Sequence, residues 1–132
     1  MLSLAELKGK WVVLYFYPKD DTPGCTREAC SFRDGKSALS KKGAVVLGVS
    51  KDDPDSHNKF IDKFNLNFLL LSDSDGKVLS AYGAFKEKSL FGKTFLGINR
   101  STVLIDPAGK IKKIWRNVKV DGHDEDVLAC IG

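Results

Sequence analysis

Trp11-Val-Val-Leu-Tyr-Phe-Tyr17 is a run of aliphatic, β-branched and aromatic residues with no polar alternation. A strand covered on both faces of a sheet reads this way, because neither side of the pleat meets water. Pro18 closes the run, since proline cannot donate to a ladder. Ala44-Val-Val-Leu-Gly-Val-Ser50 is a second run of the same kind. Between them, from about Gly24, apolar positions fall at helical spacing, with Ala29, Phe32 and Leu39 expected inside. Gly35 is expected to weaken this helix or break it.

Further on, Asp53 or Asp55 offers an N-cap and Pro54 fits a first turn. Phe60, Ile61 and Phe64 then recur at helical spacing up to Asn65. Phe68 to Leu71 reads as a short strand, Ser72 to Gly76 as a turn, and Val78 to Tyr82 as a short helix. Gly83 to Asn99 mixes glycine, lysine and aromatics without a period and reads as a loop. Ser101 to Ile105, the turn Asp106-Pro-Ala-Gly109, and Ile111 to Trp115 form an antiparallel hairpin. A closing helix over Asp121 to Cys130 turns Val127, Leu128 and Ile131 inward. Strands alternating with helices and ending in a hairpin predict a three-layer, thioredoxin-like α/β fold with a mixed sheet. With no repeat, low-complexity tract or internal boundary, residues 1–132 are expected to make a single domain.

Composition adjusts this picture little. The chain is 42% hydrophobic and 29% charged, enough apolar material for one core, and its net charge of +4 comes from scattered lysines interleaved with acids. No basic run suggests nucleic acid as a partner. Met1 to Gly9 shows neither a charged segment ahead of a continuous apolar stretch nor a cleavage site, so no secretory signal is expected. The longest apolar run, Trp11 to Tyr17, falls far short of the roughly 20 residues that cross a bilayer. A cytoplasmic protein with no membrane partner is the resulting expectation. Three cysteines in a reducing compartment then point to catalytic, redox or buried thiols.

Cys25 stands where the first strand gives way to the first helix. Unpaired backbone N–H groups and the positive end of the helix dipole favour a thiolate there, which makes Cys25 a candidate nucleophile; a buried, inert thiol is the alternative. Cys30, five positions on, does not have the two-residue spacing of zinc knuckles or thioredoxin-type pairs. In an intact helix the two Cα atoms stand roughly 8.7 Å apart, whereas a disulfide needs less than about 7 Å. Either the two never pair, or the first helical turns unwind, which Gly24 and Gly35 would ease. Thr26 and Glu28 fit a helix start as readily as a site, although Glu28 could also hydrogen-bond a donor near the thiolate. His57 and His123 lie among polar residues and are expected to be exposed, without a ligand partner four residues away. Cys130 reads as a buried or terminal thiol. Phe85, Phe91 and Phe95 suit core packing, or a cover over a pocket.

Phe16-Tyr-Pro-Lys-Asp-Asp-Thr22-Pro-Gly-Cys25-Thr-Arg-Glu-Ala-Cys30-Ser-Phe-Arg-Asp34 closely resembles the peroxiredoxin Q group, or bacterioferritin comigratory proteins. It carries the general pattern P-x-x-x-T-x-x-C as Pro18, Thr22 and Cys25. The likeness continues through Leu71 to Gly76, Gly97 to Asp106 and Val118 to His123, nearly the whole chain. It implies a thiol peroxidase in which Cys25 is the peroxidatic cysteine and Cys30 the resolving one. Thr22 would place its hydroxyl against thiolate and peroxide, Pro18 would shield the sulfur from water, and Arg100 would stabilise the thiolate and orient the peroxide. The expected partners are a hydroperoxide and thioredoxin or a similar dithiol; no cofactor or metal is needed, and a monomer is expected. The family's N-terminal hairpin has no counterpart ahead of Leu4, which would leave an edge or apolar patch for a partner chain to cover.

Two other functions fit a reactive cysteine pair. A protein thiol–disulfide oxidoreductase should not need a helix to unwind, so the spacing argues against it. A redox sensor would oxidise once and stay oxidised, whereas an enzyme would cycle.

Overall fold

The computed structural model describes residues 7–90, 93–116 and 118–131, and the side chains between 85 and 96 lie outside that description. In chain order the elements are β1 (Trp11–Phe16), α1 (Pro23–Lys41), β2 (Ala44–Ser50), α2 (Pro54–Phe64), β3 (Leu69–Ser72), α3 (Lys77–Ala81), β4 (Phe85–Leu90), β5 (Lys93–Ile98), β6 (Ser101–Ile105), β7 (Ile111–Trp115) and α4 (His123–Ala129).

β1 is central in a five-stranded sheet ordered β3-β2-β1-β6-β7. It runs parallel to β2, with Val13 opposite Val46, and antiparallel to β6, with Val13 opposite Leu104. The missing alternation in β1 now has its cause. Val13, Tyr15 and Tyr17 pack with Ala29, Phe32 and Phe60 of α1 and α2, while Val12, Leu14 and Phe16 pack on the opposite face with Leu79 of α3 and Ile98 of β5. The result is the expected mixed α/β, thioredoxin-like arrangement. No described helix is long and apolar enough to cross a membrane.

α2 follows its sequence signals. The Asp53 carboxylate accepts the Ser56 N–H at 2.8 Å, Pro54 occupies the first turn, and Asn65 ends the helix in the left-handed region at φ 55°. Two expectations fail. Gly35 does not interrupt α1, which runs unbroken from Pro23 to Lys41. A Cβ at Gly35 would stand 2.8 Å from Asp124 Oδ2, so the glycine answers to the approach of α4 rather than to a bend. The stretch from Gly83 to Asn99 is not a loop. β4 and β5 pair antiparallel from Phe85 opposite Ile98 to Leu90 opposite Lys93, closed at the base by the Asn99 N–H bonding the Ala84 carbonyl at 2.6 Å. Among the described residues β4 and β5 pair only with each other, in a stretch whose sequence shows no apolar period.

Candidate active site

α1 begins at the end of a short connection from β1. Tyr17 is tied to β2 by its N–H on the Val49 carbonyl (3.1 Å), and the chain leaves at Pro18, which is exposed. Asp21 then takes a left-handed turn at φ 58°. Thr22 is the N-cap of α1 and Pro23 its first residue, where the missing N–H costs nothing. The first intrahelical bond runs from the Thr26 N–H to the Thr22 carbonyl at 2.8 Å. The Gly24 and Cys25 amides therefore precede the helical ladder, and Cys25 stands in the first turn at the positive end of the dipole.

Only 1% of Cys25 is exposed. Arg100, between β5 and β6, donates from Nη2 to Cys25 Sγ at 3.1 Å and from Nη1 to Glu28 Oε1 at 2.6 Å. Its backbone carbonyl is held by the Val118 N–H at 3.0 Å. One guanidinium thus spans two residues that stand three apart on the same face of α1. Gly24 makes room for it, because a Cβ there would come within 3.3 Å of Nη2.

The electrostatics follow from burial. Desolvation pushes the Glu28 carboxyl up to about 7, and although Arg100 pulls the other way, burial prevails. Burial likewise works against the charge on Arg100, but Glu28 and Cys25 outweigh it and raise the guanidinium above its ordinary value. Among the described residues, Glu28 Oε2 and Tyr15 Oη are buried without a protein hydrogen-bond partner. The Tyr15 phenol is held far above its usual range by burial and then by the nearby Glu28.

The other sequence-selected residues divide. Thr22 donates its hydroxyl proton to the Lys19 carbonyl at 3.0 Å, so its oxygen is left to act as an acceptor. Cys30 is half-buried on the same unbroken helix as Cys25, and all three cysteines are free. Cys130 is half-buried at the C-cap of α4, packed beside the core. Phe91 and the side chains of Phe85 and Phe95 lie outside the described residues, as does the start of the segment read for a secretory signal.

The expectation of two exposed histidines is wrong. His123 is buried against the Thr102 hydroxyl at 2.8 Å, and desolvation lowers it. His57 is buried beside Asp20, 2.7 Å from Nδ1 to Oδ2. Polar sequence neighbours describe one side of a helix only, and both imidazoles turn to the other. Asp20, Asp52 and His57 bring one potential metal-ligand atom each within 4.8 Å of one another. Those atoms are already engaged: Asp52 Oδ2 accepts from the Ser50 hydroxyl and the Asp20 N–H, and Asp20 faces His57. This Asp20–His57 contact is the part of the region that sequence reasoning missed. Its members lie 37 positions apart, with no local signal linking them.

Comparison with known proteins places this geometry. The AhpC/TSA family model matches residues 1–114. The chain is 59% identical over 128 residues to the bcp peroxiredoxin sequence of Coxiella burnetii, covering 97% of this chain and 85% of that one. Peroxiredoxin Bcp of Bacillus subtilis is 50% identical over 130 residues, covering 98% and 83%. Among solved structures, the bacterioferritin comigratory protein of Xanthomonas campestris, described for its alkyl peroxide reduction activity, superposes with a TM-score of 0.94 at 45% identity, covering 97% of this chain and 82% of that one.

Proposed function

The chain belongs to the AhpC/TSA family and is a thiol peroxidase of the Bcp type, and from that premise we propose that Cys25 is its peroxidatic cysteine. The observation that carries the assignment is the 3.1 Å contact from Arg100 Nη2 to Cys25 Sγ at the opening turn of α1. In this reading the Cys25 thiolate attacks one peroxide oxygen and the O–O bond breaks. Sulfenic acid forms on sulfur, and hydroxide or alkoxide leaves and takes up a proton. Arg100 and the free amides of the first turn stabilise charge on the oxygens. Thr22, its proton engaged by Lys19, accepts a hydrogen bond from the peroxide O–H. Pro18, at the exposed start of the connection, limits water at the sulfur. Glu28 holds the second arm of Arg100 and so fixes the first.

Cys30 then attacks the sulfenate sulfur, water leaves, and a Cys25–Cys30 disulfide forms, protecting the enzyme from sulfinic acid. Thioredoxin or a similar dithiol returns both thiols. Hydrogen peroxide and alkyl hydroperoxides are the substrates, neither metal nor organic cofactor takes part, and residues 1–132 act as one domain in a cytoplasmic monomer. Assay of peroxide consumption with a thioredoxin system tests the reading. Cys25→Ser should be inactive; Cys30→Ser should be oxidised once and then fail to recycle. Equal activity of Cys25→Ser and the parent ends the assignment.

A further inference from the structure

Pro18 and Thr22 belong to one short connection, and Asp20 between them turns inward, its side chain 3% exposed. Its carboxylate accepts from the Tyr17 hydroxyl at 2.5 Å, the Ser56 hydroxyl at 2.8 Å and His57 Nδ1 at 2.7 Å. Its own N–H donates to Asp52 Oδ2 at 2.8 Å. The connection is therefore bolted to the end of β1, the β2–α2 turn and the first turns of α2.

His57 extends the bolt to β3, because Nε2 lies 3.1 Å from the Leu71 carbonyl. A carbonyl only accepts, so Nε2 carries a proton; an ionised carboxylate also only accepts, so Nδ1 carries one too. His57 thus holds the connection as a doubly donating imidazolium paired with Asp20. Burial opposes its charge, but the Asp20 bond and charge, with Asp52 behind them, raise it above its ordinary value. Tyr17 also meets the ring, its oxygen 3.3 Å from Nδ1.

We infer that His57, through Asp20, is a positioning residue that clamps the Pro18–Thr22 connection. The clamp seats the first turn of α1 for the peroxide step and restrains the unwinding that the disulfide step requires. This rests on the peroxidatic assignment of Cys25. The two steps then respond oppositely to loss of the clamp, which a general loss of stability would not produce.

Rapid-quench oxidation with hydrogen peroxide separates them, with the sulfenate counted by dimedone adduct on Cys25 and the disulfide, in a separate aliquot, by loss of the Cys30 thiol to alkylation. In His57→Gln, which cannot donate along both directions of the imidazolium, the second-order peroxide step should slow by about tenfold or more, and disulfide formation should proceed at the parent rate or faster. A peroxide step within about twofold of the parent, or both steps falling by one common factor, overturns the inference. Ser56→Ala removes one Asp20 bond without emptying the core, so it decides the matter if His57→Gln does not fold. Its peroxide step should fall by about twofold or more with no slower disulfide step, and an unchanged peroxide step overturns the clamp. Cys25→Ser run alongside keeps the two ideas apart. If it reacts at the parent rate the peroxidatic assignment fails; if it is inert while the clamp variants match the parent, only the clamp fails.

Discussion

Glu28 is a carboxylate paired at 2.6 Å yet raised to about 7, because burial costs the charged form more than one guanidinium returns. In the folded state it binds its proton at a pH where the unfolded chain has released it. Its contribution to stability is complete below the unfolded value near 4.5 and is lost as pH rises through about 7. Glu28→Gln should remove that loss, flattening the decline between acid and neutral pH by up to about 3 kcal/mol. Urea unfolding of both proteins at acid and neutral pH measures the difference, and parallel profiles would contradict it. Gly24 offers a finer test. In Gly24→Ala the new Cβ meets Arg100 Nη2 at 3.3 Å and displaces the guanidinium, while alanine favours the helix by up to about 1 kcal/mol. Peroxidase activity should drop without a fall in melting temperature. Of these residues Cys25 was legible as a helix-start thiol, whereas Arg100 drew attention only through family likeness, because one arginine 75 positions away carries no local signal.

At the scale of elements, the proposed Cys25–Cys30 disulfide would demand a change in α1. It is one continuous helix through Cys25 and Cys30, and helical geometry sets their Cα atoms roughly 8.7 Å apart, beyond disulfide reach. Oxidation of the parent should therefore lower the far-ultraviolet helical signal by on the order of one to two turns, and Cys30→Ser should keep it. An unchanged signal with a mapped Cys25–Cys30 disulfide would show that the helix accommodates the bond. Most elements were readable because their periods reflect which faces are buried: β1 and β2 lack alternation, and α2 carries its own N-cap and left-handed C-cap. The β4–β5 hairpin escaped because Gly83 to Asn99 carries no period in the sequence, and its two strands pair with each other. Gly35 misled for a related reason, since helix propensity says nothing about the α4 side chain that approaches it.

Over the whole molecule, stability should concentrate where the sheet is covered on both faces. Leu104 lies on β6, between β1 and β7, and is fully buried, so Leu104→Ala should cost about 2–5 kcal/mol. Ile111, on the edge strand β7, is 52% exposed, and Ile111→Ala should stay within about 0.5 kcal/mol. Urea titration of the two variants checks the contrast; equal losses would mean that the edge is covered in solution. The sequence alone determined the alternation of strands and helices, the mixed thioredoxin-like class and the place of Cys25 at a helix start, because those depend on neighbours and on short periods. Tertiary structure decided what a one-dimensional pattern cannot hold. It brought Arg100 onto Cys25 and Glu28, turned His57 inward onto Asp20, and set the protonation of Glu28 and His57, because pairing across the fold and the depth of burial exist only once the layers have closed.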